Sequence, residues 1–213
     1  MSFPFADFRF VIREISLQGK RVCVRMADDL IAMSETSLPH HRFDDCLWIR
    51  CANRGSFTNS PTLKSLAESY LNDGGTCVVV DLEVCPGVDS TFMGTLAALA
   101  HKMQAVGGKA MVASPTQRAR TAMESLGLDM LMEIDPPHPF WENDVQERRE
   151  QLVEVDTAAG ERETAALSEV DRSRHVLEAH QTLRGMNEKN DETFGYVCET
   201  LEEDLKRKEQ ENH

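Results

Sequence analysis

The stretch TCVVVDLEVCPGVDSTFMGTLAALA, residues 76–100, changes its period in the middle, and that change decides the fold. Thr76 to Leu82 is a nearly unbroken run of β-branched and aliphatic residues, the composition of a central strand covered on both faces. After a short loop, Glu83 to Val88, the residues Leu96, Leu99, Ala100 and Met103 recur at i, i+3, i+4 and i+7, which is one buried stripe of a helix. Gly107-Gly108 closes that helix.

The same alternation continues on both sides. Upstream, Cys46 to Cys51 reads as a strand, Asn53 to Asn59 as a polar loop, and Ser60-Pro61 as a cap residue before a proline in a first helical turn. Leu63, Leu66, Ala67, Tyr70 and Leu71 then share one helical face, ended by Gly74-Gly75. Downstream, Lys109 to Ala113 is a strand, and Ser114-Pro115-Thr116-Gln117 has the spacing of a capping box, with Ser114 as N-cap. The helix it opens carries Ala119, Ala122, Met123 and Leu126, and Met130 to Ile134 is a last short strand. Strands alternating with helices predict an α/β domain over residues 44–135, a small and mostly parallel sheet with helices.

Outside this domain the chain changes character. The run Pro136-Pro137-His138-Pro139 reads as a boundary, so residues 136–164 are expected to be a linker. Residues 165–213 read as an acidic helical C-terminal extension with sparse apolar positions, among them Leu177, Leu183, Phe194, Val197, Leu201 and Leu205. A weak coiled coil and a hairpin broken near Gly185 to Asn190 both fit; His180, Asn187 and Asn190 occupy positions where a seam would place apolar residues. Leu183, Phe194, Val197 and Leu201 make an apolar seam that predicts homo-oligomerisation through the C-terminal helix. Residues 1–43 form an N-terminal extension. The alternation of Phe3, Phe5, Phe8 and Phe10, and of Arg21 to Arg25, suggests one or two edge strands, and Met26 is a second candidate start.

Charge and composition exclude several functions. The formal net charge of the 213 residues is -13, and residues 142–213 hold 20 acids against 10 bases, so neither nucleic acid nor an anionic membrane is an expected partner. The N-terminus has no signal-like apolar core and no apolar run approaches a membrane span, which predicts a cytoplasmic protein without membrane insertion. The 6 cysteines, Cys23, Cys46, Cys51, Cys77, Cys85 and Cys198, show no CxxC spacing and read as reduced core residues. The glycine pairs follow helices instead of preceding them and fit no phosphate-binding loop. His40-His41 and the pair His175 and His180 read as solvated or packing residues, since no cysteine or acid completes a metal set. No nucleophile and base can be paired from spacing, so neither enzyme activity nor a cofactor nor a metal is expected. Asp89, Ser90 and Thr91 are all residues that cap helices.

The segment from Leu47 to Ile134, well under half of the chain, resembles the STAS domain shared by anti-sigma factor antagonists, stressosome proteins and the tails of some anion transporters. The resemblance rests on the order of elements, on Gly55 and Asn59 to Pro61, on Val78 to Leu82, on Asp89-Ser90-Thr91 leading to Met93-Gly94, on Gly107-Gly108, and on Leu126-Gly127-Leu128. It implies a STAS-type fold and a partner-switching role in signal transduction and transcription. Ser90 would be the serine phosphorylated by an anti-sigma factor that is itself a GHKL-type kinase, with Thr91 as secondary candidate, and a PPM-type phosphatase would reset it. Phe92 departs from the family's pattern, where glycine is usual. The implied partner surface joins Arg54, Ser56, Thr58 and Asn59 to Asp89, Ser90, Thr91, Phe92, Met93 and Gly94. The alternative is a non-switching scaffold or subunit of a larger complex, stressosome-like or transporter-associated.

Overall fold

The computed structural model describes residues 14–17, 20–23, 38–136, 139–153 and 167–211, with side chains over 38–136, 145–152 and 167–211. The chain divides into two units, Met1–Met33 and Ser34–His213. In the first, β1 (Glu14–Leu17) and β2 (Lys20–Cys23) pair antiparallel as a two-stranded sheet of their own. The phenylalanine alternation of residues 3–10 lies outside the described residues, as does Met26.

The second unit is built on a five-stranded sheet of β3 (His40–Arg42), β4 (Leu47–Arg50), β5 (Cys77–Asp81), β6 (Lys109–Ala113) and β7 (Glu133–Ile134), in that spatial order. β3 is antiparallel to β4, and every other pair is parallel. The edge strand of this sheet is therefore His40–Arg42, inside the segment expected to be an extension, and the folded unit begins before Asp44. Three helices follow the strands: α1 (Ser60–Asn72), α2 (Ser90–Ala105) and α3 (Gln117–Ser125). Thr116 caps α3 by accepting from the Ala119 amide at 3.3 Å, where Ser114 was expected; Ser114 sits instead at a φ of 48°, outside the helix. The strand expected from Met130 shortens to β7 because Leu128–Met130 form a 3-10 turn.

The centre of the sheet accounts for the unbroken apolar run. Val78, Val80 and Leu82 join Leu47, Ile49, Leu63, Leu96 and Met103 in the core on the α1/α2 side. Val79 faces the other way, into a smaller cluster with Cys46, Trp48, Ala113 and Leu152. With both faces covered, alternation has no polar side to show. Cys46, Cys51, Cys85 and Cys198 are buried free thiols, and Cys77 is half-buried. No helix among the described residues is long and apolar enough to cross a membrane.

Leu152 belongs to α4 (Pro139–Val153), which lies where a linker was expected. The prolines that read as a breaker precede a helix, because Pro139 occupies the first helical position, where a missing N–H is no loss. Besides Leu152 and an Arg148–Asp45 ion pair, a buried ion pair ties α4 to the sheet. Arg149 donates from Nε to Asp81 Oδ2 at 2.7 Å and from Nη2 to Asp81 Oδ1 at 3.0 Å, and reaches Glu83 at 2.6 Å and Ser114 at 3.0 Å. The Asp81 side chain is 0% exposed and that of Arg149 only 7%.

The C-terminal segment forms a hairpin of α5 (Glu169–Arg184) and α6 (Glu188–Glu211), so of the two arrangements the sequence left open the fold-back is present. Ser168 caps α5, accepting from the Asp171 amide at 3.1 Å. Leu183 and Phe194, expected in a seam between chains, are buried within this one, and Leu201 packs against the same core. Val197, the fourth member, is 36% exposed.

Removing one partner of the Asp81–Arg149 pair leaves a buried charge without its counter-ion. Arg149→Met is expected to destabilise the unit by about 3–5 kcal/mol in chemical denaturation, and Asp81→Leu combined with Arg149→Met to recover most of that loss. Equal stability of wild type and the single variant would mean that α4 does not hold the sheet.

Candidate functional site

The start of α2 is organised by one carboxylate. Asp89 is the N-cap: its Oδ1 accepts from the Phe92 amide at 2.9 Å, while its Oδ2 accepts from the Phe57 amide at 3.0 Å. The same side chain thus caps the helix and fastens the loop 54–59 beside it. Backbone bonds add to the join, Gly55 N donating to Gly87 O at 3.0 Å and Asp89 N to Gly55 O at 2.8 Å. Within the loop, Asn59 accepts from the Ser56 amide at 2.9 Å and donates to Arg54 O at 2.9 Å, and the Ser56 and Thr58 hydroxyls meet at 2.6 Å. Asn59 is also the residue before α1, so its side chain shapes the loop instead of capping the helix, and Ser60 is already helical.

The two loops expected to face one another do so, but their residues divide. Arg54 is exposed, and Ser56, Thr58, Asp89 and Ser90 are half-buried, forming the accessible part. Thr91, Phe92, Met93 and Asn59 are buried and support the surface from below; Thr91 is only 5% exposed. Phe92 fills the space over Gly55, where an added Cβ would stand 2.9 Å from its ring. The departure from a glycine at position 92 is therefore matched by the glycine at 55. Phe57, which the sequence did not single out, projects from the loop at 53% exposure. Beneath the loops a hydrogen bond from Cys51, the largest cause, holds the Cys85 thiol below its ordinary range.

Two contacts with α5 were not legible. Ser90 Oγ lies 2.9 Å from His180 Nε2, and Ser60 Oγ lies 2.9 Å from His175 Nε2. The His180 Nδ1 stands 2.8 Å from the Val176 carbonyl, which can only accept, so Nδ1 carries a proton, and in the tautomer with that proton alone Nε2 accepts from the Ser90 hydroxyl. A serine and an imidazole in this relation resemble a nucleophile and its base, but a backbone carbonyl stands where a carboxylate would stabilise an imidazolium. His180 also packs edge-on against Phe194, with ring centroids 5.7 Å apart. The histidines are 115 and 90 residues from their serines, a separation from which spacing says nothing. The available signal was His180 at a seam position of an otherwise apolar stripe.

His175 is held below its ordinary value of 6.5 by burial first and then by the Lys64 cation, against the opposing pull of Glu178 and Glu68. The unfolded chain therefore binds this proton more readily than the folded one. The stability that neutral His175 contributes is complete above about pH 6.5 and is lost as the pH falls from there towards the folded value. The urea midpoint is expected to be level near neutrality and to drop below about pH 6.5, and His175→Gln should remove that part of the slope. A midpoint unchanged over this interval in the wild type would contradict the assignment.

Comparison with known proteins follows the same lines. Residues 39–140 match the model of the STAS domain. Among solved structures, a putative anti-sigma factor antagonist from Thermotoga maritima is 18% identical, covering 54% of this chain and 93% of its own, with a TM-score of 0.44. The anti-sigma factor antagonist SpoIIAA in its unphosphorylated form is 12% identical over 56% of this chain and 100% of its own, at 0.43. The Bacillus cell fate determinant SpoIIAA in the phosphorylated form is 16% identical over 53% and 99%, at 0.42. None of the curated proteins matches the chain. The α/β unit with its mixed sheet thus has the STAS fold, and residues 39–140 of this chain are a STAS domain.

Proposed function

We propose that this chain is a protein-interaction switch of the anti-sigma factor antagonist kind, cytoplasmic and without enzymatic activity of its own. Its surface binds an anti-sigma factor or another GHKL-type kinase, phosphorylation at Ser90 releases that partner, and a PPM-type phosphatase restores binding. The observation that carries this reading is the Asp89 carboxylate, which bonds both the Phe92 and the Phe57 amides and so presents Ser90 in the first turn of α2 beside an exposed loop. Free N–H groups and the helix dipole tolerate a phosphate there. A partner surface pressed onto the same place meets a charge near -2 and loses affinity.

A second reading, a non-switching scaffold or complex subunit, is favoured by the bond between Ser90 and His180, which gives the hydroxyl a structural partner. In that reading Tyr196, 79% exposed, and Val197 offer α6 as a surface for further chains, including copies of this one.

The readings separate in one experiment. The full chain is incubated with a GHKL-type kinase that it captures and with ATP, the modified residue is mapped by mass spectrometry, and the capture is repeated with variants. A complete switch needs a difference on the order of 5 kcal/mol, which a phosphate can supply and a carboxylate only partly. Phosphate is expected on Ser90, with Ser90→Ala binding the kinase persistently and Ser90→Asp weakly. Phosphate found only elsewhere, or equal capture of the two variants, would favour the scaffold.

A further inference from the structure

The N-termini of α1 and α2, which carry the surface just described, are both covered by one face of α5. Ser60 meets His175 and Ser90 meets His180. One turn further along α2 the backbones themselves touch, since a Cβ placed on Gly94 would overlap the Ala179 carbonyl. The helices approach as closely as a residue without a side chain allows.

Around this contact the hairpin leaves features that the sheet beneath it lacks. A groove of about 230 Å³, open to solvent, runs between α1, α2 and α5, lined among others by Leu63, Ala67, Leu99, Thr95 and His175. At the other end of the hairpin, Asn190 Oδ1 is buried without a hydrogen-bond partner although its Nδ2 donates to Leu126 O at 3.0 Å. Val78 and Val79 in the centre of the sheet, by contrast, are fully buried among apolar neighbours. The hairpin is held to the core by Leu177, Leu183, Phe194 and Cys198, but unlike the strands it buries an unsatisfied polar group, and an element of that kind opens before the centre of the sheet does.

We propose that α5–α6 is a detachable cap on the Ser90 surface, docked while the Ser90 hydroxyl is free and expelled when that hydroxyl carries a phosphate. The inference rests on Ser90 being the modified residue. A phosphoryl group would have to enter the 2.9 Å gap between Ser90 Oγ and His180 Nε2. The imidazole cannot turn aside while Nδ1 is bound to Val176, and α5 cannot slide across α2 while Ala179 rests on Gly94. The Asp89 carboxylate on the same turn adds like charge. The modified chain then differs from the free one in the surface it shows as well as in charge, and a partner of the unmodified chain competes with the protein's own hairpin.

Hydrogen exchange read by mass spectrometry tests this without a kinase. Three forms of the full chain are compared: unmodified, carrying phosphoserine installed at position 90 during synthesis, and Gly94→Val, which separates the helices without adding charge. Peptides from α5 and α6 are expected to exchange at least about tenfold faster in the phosphoserine form while peptides from β5 and β6 change less than about twofold. Gly94→Val should give the same pattern; if it unfolds the whole unit, the phosphoserine form alone decides. Hairpin exchange that is unchanged or slower with phosphoserine, as when a protonated His180 clamps the phosphate, would overturn the proposal, and so would hairpin and strands accelerating together. A negative kinase experiment with a positive exchange result would discard the switch reading and leave the cap in place.

Discussion

The Asp81 carboxylate ends the central strand where its side chain is fully buried, and the structure around it is arranged to keep that charge. Arg149 approaches in the paired geometry that suits a carboxylate, and Trp48 lies alongside with Nε1 at 3.4 Å. A buried pair of this kind adds little over an apolar replacement but is expensive to break, so its effect is to specify which element lies on the sheet. The element is α4. With it in place the sheet has helices on both faces, and the C-terminal end of β5 is fixed against the loop that leads to α2.

From that end the order passes to Asp89. Strand β5 stops at Asp81, Leu82 N bonds Ala113 O, and Cys85 N bonds Leu82 O, so the connection to α2 is held at its start. At its far end Asp89 binds two backbone amides that belong to different segments. A helix N-terminus needs acceptors for its free N–H groups, and here the acceptor also sets the position of a loop 32 residues away in sequence. Gly55 and Phe92 complement one another in the same way, an absent side chain in the loop making room for a ring in the helix.

The hairpin changes the meaning of Ser90. A hydroxyl in the first turn of a helix ordinarily faces water, and the sequence offers no reason for another expectation. Here it lies 2.9 Å from an imidazole nitrogen on a helix 90 residues away. Lys64 with Glu178, and Lys102 with Glu68, line the same groove as exposed ion pairs, which contribute little to holding it shut. The net hold therefore comes from Leu177, Leu183, Phe194 and Cys198, of which Leu183 and Phe194 belong to the seam expected from the sequence.

Local pattern determined the parts of this protein that obey local rules. The apolar run from Val78 to Leu82, the stripes Leu63 to Leu71 and Leu96 to Met103, and the glycine pairs after each helix decided the α/β class, because burial on two faces and helical periodicity leave direct traces in residue order. Asp89 was legible only as one of three adjacent capping residues, and the structure makes it the N-cap. Other features are decided by residues far apart in the chain. Arg149 sits on a helix that reads as polar around it, and its partner Asp81 lies 68 residues earlier. His40 to Arg42 is a strand because β4 offers it an edge, and His175 and His180 are docking residues because α1 and α2 bring two serine hydroxyls to the same face. Sequence states which residues prefer to be buried; which polar groups meet in the interior is settled only when packing removes water from between them, since the energy of such a pair depends on its surroundings and not on its position in the chain.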